Sequence, residues 1–207
     1  MNVTQRMWPG EADDTTPLDA EDLAGLIPSH VAIRSDLNAV ERDNILSARL
    51  WAFDGRPIAS VDRLLRIETI DGLHRRMFAN VWKWAGKRRV RPTNIGVEPS
   101  QIVEELRKAL DDATYWHDNG VFDPIEIAVR LHHRLVFIHP YVKGNGRHAR
   151  FVADLYLHTN GWPALPWRSD ESEVADSRSA YIRSLRLADS GDYAELIVSA
   201  SGSASVE

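Results

Sequence analysis

Residues 123 to 160 constrain this chain more than any other stretch. Asp123-Pro124-Ile125-Glu126 has the layout of a helix start: an Asp cap, Pro in the first helical position, and Glu three residues after the cap. The run that follows carries Ile127, Val129, Leu131, Leu135, Val136 and Phe137, and predicts a central apolar helix. Pro140 disfavours helical geometry just before it, so this helix ends near Ile138 or His139. A glycine-bracketed turn comes next. A second helix then runs from about Gly146 to Thr159 and stops at Asn160-Gly161.

The loop between these helices has a chemistry of its own. Gly144 and Gly146 let backbone N–H groups converge without Cβ obstruction. The helix start adds amide donors and the positive end of the macrodipole. Arg147 and Arg150 lie three residues apart, near one face of the same helix, and add fixed positive charge. Together these make a phosphate cradle with a candidate general base, His139, at its rim. A lone histidine is more often structural than catalytic; the Gly-Asn-Gly-Arg that follows reverses that weighting. Gly144-Asn145-Gly146 would suit a plain interhelical turn as well, but the flanking arginines favour a phosphate nest. For Lys143, a solvated loop lysine and a phosphate contact stand even.

The 207 residues suffice for one substantial domain, and 43% hydrophobic with 27% charged content is ordinary for a globular chain. No apolar stretch approaches the roughly 18 residues of a membrane span, and the N-terminus has no apolar signal core. Cysteine is absent, which excludes disulfides and thiolate zinc sites and makes the cytoplasm the default expectation. A net charge of −5 argues against general nucleic-acid binding. Positive charge is nonetheless local, at 139–150 and at Lys87, Arg88, Arg89 and Arg91, which suits a small anionic ligand. Of the second run, Arg88, Arg89 and Arg91 read as a solvated, partner-facing surface. A metal site from His132, His133, His139 and His148 is not expected, because no carboxylate joins them and the two adjacent histidines cannot both face one ion.

Elsewhere the periodicity predicts helices over 19–26, 36–53, 62–85 (interruptible at Gly72, with Gly86 as its cap), 100–116, 173–187 and 192–199. Residues 87–99 break the pattern. Val90, Pro92, Thr93, Ile95 and Val97 favour extended backbone, which predicts a short hairpin or flap. The expected fold is all-α with a short β-hairpin flap. Trp82, Trp84 and Trp116 are expected in the core.

His139 through Arg150 reads His-Pro-aromatic-x-x-Gly-Asn-Gly-Arg-x-x-Arg, which resembles the signature of Fic (Fido-fold) proteins. More narrowly, Ala32-Ile33-Arg34, Leu37-Asn38, Glu41, Asn44-Ile45-Leu46, Val81 through Gly86 and Asn94 through Val97 resemble the bacterial subgroup called mobile mystery protein B. The resemblance implies a protein adenylyltransferase with ATP as substrate. His139, Asn145 and Arg147 would be catalytic, with His139 deprotonating the target hydroxyl. Gly144, Asn145 and Gly146 would hold the α- and β-phosphates, with the Asn145 side chain on the α-phosphate. Arg147 would contact phosphate, Arg150 would reach the γ-phosphate or ribose region, and Lys143 would join the nucleotide-binding set. Thr93, Asn94, Ile95, Gly96 and Val97 would dock a target segment by main-chain pairing. The implied organisation is a flexible segment 1–17, a helical extension 18–56, a catalytic domain 57–200 and a flexible tail 201–207.

Two departures bear on activity. The family usually has an acid that binds Mg²⁺ where this chain has Lys143. At ~4 Å and an effective dielectric of ~20, each unit of like charge costs on the order of 4 kcal/mol. Either Lys143 supplies its own charge in place of the metal, or AMP transfer is weak or absent. The competing readings are a non-catalytic nucleotide-binding regulatory module and a transferase using another phosphate donor. The second departure concerns inhibition. A full Ser/Thr-x-x-x-Glu-Gly/Asn motif is missing; Glu41 is the candidate inhibitory residue, by pairing with Arg150, and a separate antitoxin-like protein is the other option. The target protein is not named by the sequence; a homodimer is compatible, and no membrane partner is expected.

Overall fold

The computed structural model describes residues 20–54, 58–167 and 175–202. The expected flexible segment 1–17 and residues 203–207 of the expected tail lie outside them, as does the start of the helix expected from Glu173. Among the described residues the fold is all-α: α1 (Ala20–Gly25), α2 (Arg34–Phe53), α3 (Val61–Leu64), α4 (Ile67–Phe78), α5 (Ile102–Asn119), α6 (Pro124–Ile138), α7 (Asn145–Thr159), α8 (Ala175–Asp189) and α9 (Ala194–Ser201). A 3-10 turn, Pro99–Gln101, leads into α5.

The start of α6 forms as its sequence dictates. The Asp123 side chain accepts from the Glu126 amide at 2.9 Å, with Pro124 in the first turn. The centre of the fold, however, is α7 rather than the more apolar α6. Every residue from His148 to Leu157 is buried, because α7 is packed against α6 along its length and against α2, α3 and α4 around its other sides. Asp154 shares this burial. It accepts from Arg49, from the Trp167 indole (2.8 Å) and from the Leu165 amide (3.2 Å), which ties the segment after α7 to α2.

The single helix expected over 62–85 is broken elsewhere than at Gly72, which lies inside α4. The break falls at Leu65 and Arg66. Leu64 and Leu65 are both buried, and adjacent positions of one helix face different directions. After Phe78 the chain turns repeatedly, burying Trp82 and stacking it on Trp84 at 5.0 Å between ring centres. Gly86 therefore caps no helix. Its amide instead donates to His74 Nδ1 at 2.9 Å.

No strand forms at 87–99. This stretch is a loop with an isolated antiparallel bridge between Arg88 and Tyr141. The reason is Arg89, which is 4% exposed. Its guanidinium turns into the loop and donates to the carbonyls of His139 (2.7 Å), Arg91 (3.1 Å) and Val97. Carbonyls held by one side chain do not build a ladder. Arg88 pairs with Asp71, so two of the three arginines expected on a solvated face, Arg88, Arg89 and Arg91, are structural.

Candidate functional site

Residues 139–144 join α6 to α7, and both ends of this loop sit in the left-handed region. His139 has φ 52° and caps α6; a non-glycine residue there is uncommon and strained. Gly144 has φ 79° and caps α7. A Cβ on Gly144 would lie 2.5 Å from the Phe78 ring, so only glycine fits. Between them the loop closes on itself. Asn145, 3% exposed, accepts from the Tyr141 amide through Oδ1 and donates to the Tyr141 carbonyl through Nδ2, both at 2.9 Å. Its side chain thus fixes the loop's shape, a positioning role its place in the sequence does not announce.

The loop rests on α4. The Tyr141 ring stacks on His74 at 3.7 Å, and its hydroxyl donates to Asp71 at 2.8 Å. Burial first, then the adjacent carboxylate, hold the Tyr141 phenol well above its ordinary range, so it stays a donor. His74 accepts from Gly86 at Nδ1, which leaves Nε2–H to donate to the Lys143 carbonyl at 3.1 Å. Desolvation, reinforced by His148, pushes its pKa well below the ordinary imidazole value. His74 is therefore a neutral strut between the loop and the turn at Gly86.

Above this floor lies the charged face. The first turn of α7 leaves the amides of Asn145, Gly146 and Arg147 without intrahelical acceptors, and a Cβ on Gly146 would meet nothing within 4 Å. Arg147 is partly exposed; its guanidinium lies 5.3 Å from the centre of the Phe78 ring and pairs with Glu41 at 2.7 Å. Glu41, 5% exposed, also accepts from the Trp82 indole at 2.6 Å. The Glu41 contact expected with Arg150 is thus made with Arg147. Arg150 is buried, its guanidinium 5.2 Å from the centre of the Tyr181 ring, and the Tyr181 hydroxyl meets His132 Nε2 at 2.8 Å. Lys143 Nζ stands 5.7 Å from the centre of the Trp82 ring.

The flap lies directly on His139. A Cβ on Gly96 would fall 2.6 Å from His139 Cβ, and the Val97 amide donates to the Ile138 carbonyl at 3.3 Å. Ile95 is buried. The carbonyls of Ile95 and Val97 are already taken, by Thr93 Oγ1 and Arg89.

A magnesium site does not fit this donor set. The position expected to carry an acid holds the Lys143 ammonium, and among the described residues no three of His, Asp and Glu converge as metal ligands. His132 and His133 are structural. His133 bridges Asp189 (3.0 Å) and the Tyr193 hydroxyl (3.1 Å). The residues that sequence reasoning missed are Arg89, His74, Asp71 and Tyr181. Only Arg89 carried a signal, its place in a basic run, and that signal read as solvated surface.

Residues 64–157 match the Fic/DOC family. The protein adenylyltransferase fic-1 of Caenorhabditis elegans is 32% identical over 137 residues, which is 62% of this chain and 25% of that protein. The chain thus spans about a quarter of that relative's length. A solved structure of C. elegans Fic-1 superposes with a TM-score of 0.61 at 26% identity, over 79% of this chain and 48% of that one. BepC from Bartonella tribocorum, solved with AMPPNP bound, shares the fold at 16% identity with a TM-score of 0.63, over 82% of this chain and 86% of that one.

Proposed function

We propose, from a chain whose residues 64–157 match the Fic/DOC family, that the protein is an adenylyltransferase. It moves AMP from ATP to a hydroxyl on a target protein. The target oxygen attacks the α-phosphorus, and the bond from that phosphorus to the bridging oxygen of the β-phosphate breaks. The hydroxyl proton passes to the His139 imidazole, and pyrophosphate leaves. The observation that carries the reading is the loop closed by Asn145, which fixes an imidazole and the amide-rich start of α7 as the two ends of one rigid segment. Gly144 to Arg147 hold the α- and β-phosphates through main-chain amides. Arg147 contacts phosphate oxygens, and Arg150, propped by Tyr181, reaches the far end of the nucleotide. Asn145 serves chiefly by holding the loop. Lys143 supplies positive charge beside the phosphates. The flap from Thr93 to Val97 aligns the target segment beside His139.

The Glu41–Arg147 pair favours a second reading, a protein that binds nucleotide and regulates a partner with its transfer activity held down. The narrower placement in mobile mystery protein B rests on runs such as Ala32-Ile33-Arg34 and Asn94-Ile95-Gly96-Val97. With it go a toxin-like role in the cytoplasm, a separate inhibitory protein and a homodimer.

The test is incubation with ATP labelled on the α-phosphate, and separately on the γ-phosphate, with and without Mg²⁺, alone and in lysate. Labelled protein is expected, and His139→Ala should lower labelling by about 10²–10⁴-fold. Nucleotide binding without label in any condition supports the regulatory module. Label arriving only from the γ-position supports a different transferase.

A further inference from the structure

A second concavity lies between α2 and α4, and none of residues 139–150 lines it. It encloses about 720 Å³, within the range of roughly 300–1,000 Å³ typical of small-molecule clefts. Its charge is of one sign. Arg63, Arg75 and Arg76 line it and no carboxylate does, in a chain whose acids outnumber its bases by 30 to 25. Among the carboxylates of the adjoining helices, Asp71 pairs with Arg88, Glu41 with Arg147 and Asp154 with Arg49.

The walls are built rather than incidental. The Arg76 guanidinium lies 3.9 Å from the centre of the Trp51 ring, which orients the cation without neutralising it. Asn44, buried on α2, donates to the Arg76 carbonyl at 2.7 Å and accepts from the Asn80 amide at 3.2 Å, pinning the end of α4.

Gly72 provides the independent observation. Glycine in a helix interior costs about 1 kcal/mol relative to alanine. Gly72 is not among the glycines with positive φ, and a Cβ there would meet nothing within 4 Å. Neither backbone conformation nor internal packing calls for glycine at this position. Gly72 lines the cleft.

We infer that this cleft binds a small phosphate-bearing ligand, independently of the His139 loop. Guanidinium groups recognise phosphate oxygens in pairs, which suits a multiply charged oxyanion better than a single carboxylate. Trp51, 36% exposed, gives the same cleft an apolar surface suited to a nucleoside or sugar body. The oxyanion is the shared chemistry of a nucleotide and of free pyrophosphate.

Equilibrium dialysis of the whole protein with labelled ADP, and separately with labelled pyrophosphate, tests this. The variants are Gly72→Leu, which occupies the cleft with a better helix former, and Arg63→Glu with Arg76→Glu. Circular dichroism and Tm confirm that each is folded. Both cleft variants should weaken one class of binding site at least tenfold, and Arg150→Ala should leave that class unchanged. Pyrophosphate held as tightly as ADP assigns recognition to the oxyanion; ADP held more tightly adds the nucleoside body. Were the His139 loop to bind no nucleotide, the total number of sites would fall while the difference between wild type and cleft variants persisted. The inference is overturned if neither compound binds, if folded Gly72→Leu and the double arginine variant bind both as the wild type does, or if the cleft holds an acidic peptide but no phosphate compound.

Discussion

Glu41 answers to two partners of different chemistry. One carboxylate oxygen takes the buried Trp82 indole N–H, and the other pairs with the partly exposed Arg147. The first contact belongs to folding: an indole N–H left without an acceptor costs roughly 1–3 kcal/mol. Under the proposed function the second bears on nucleotide binding, because Arg147 cannot give its whole charge to a phosphate while Glu41 holds it. Two substitutions separate these roles. Glu41→Gln keeps an acceptor for Trp82 and removes the charge, so Tm should barely move while ATP affinity rises about tenfold, equivalent to about 1.4 kcal/mol. Glu41→Gly should raise transfer too, but with Tm lowered by several degrees. Calorimetric titration with ATP and a thermal melt of each variant check this. Unchanged ATP affinity in Glu41→Gln would remove Glu41 from the control of the site.

Among the elements, the loop at 87–99 depends most on one side chain. Arg89 is buried, and burial lowers its pKa from the usual guanidinium range. It repays that desolvation by gathering the carbonyls of His139, Arg91 and Val97. Arg89→Met preserves bulk and removes every donor. Amide exchange at residues 90–98 should then quicken at least tenfold, and KM for a protein target should rise while ATP binding stays near wild type; exchange mass spectrometry and steady-state kinetics read the two effects. Wild-type exchange rates in Arg89→Met would show that the loop is held by something else. The same loop shows where sequence reading stops. Val90, Ile95 and Val97 do prefer extended backbone, but strands need partner carbonyls, and a neighbouring arginine takes them. Local signals served well where the cause was local, as in the Asp123-Pro124-Ile125-Glu126 start of α6 and the left-handed Gly144 before α7. They failed where the cause was distant. Nothing near His74 in the chain indicates that it supports the Lys143 carbonyl, and nothing near Glu41 distinguishes Arg147 from Arg150 as its partner.

Across the whole molecule, three imidazoles sealed in the core set how the fold responds to acid. His74, His132 and His148 are each at most 1% exposed. Burial pushes the first two well below the ordinary imidazole value and His148 down to about 4. An unfolded chain takes up these protons near pH 6.5. Between that value and about 4 the unfolded state therefore binds more protons than the folded one, and stability falls as pH is lowered through this window. His148 alone accounts for about 2 kcal/mol of loss at pH 5, and His74 and His132 act in the same direction. Asp154 acts oppositely, because burial raises its pKa and acid relieves that penalty, but it is one carboxyl against three imidazoles. The loss reaches the site, since a proton on His74 Nδ1 would break the bond from the Gly86 amide that steadies the strut beneath Lys143. Urea unfolding at pH 7.5 and pH 5 should thus show a clearly lower midpoint in acid, and nucleotide binding should weaken over the same interval. A midpoint that stays flat between these pH values would mean that these imidazoles are not held neutral by the core.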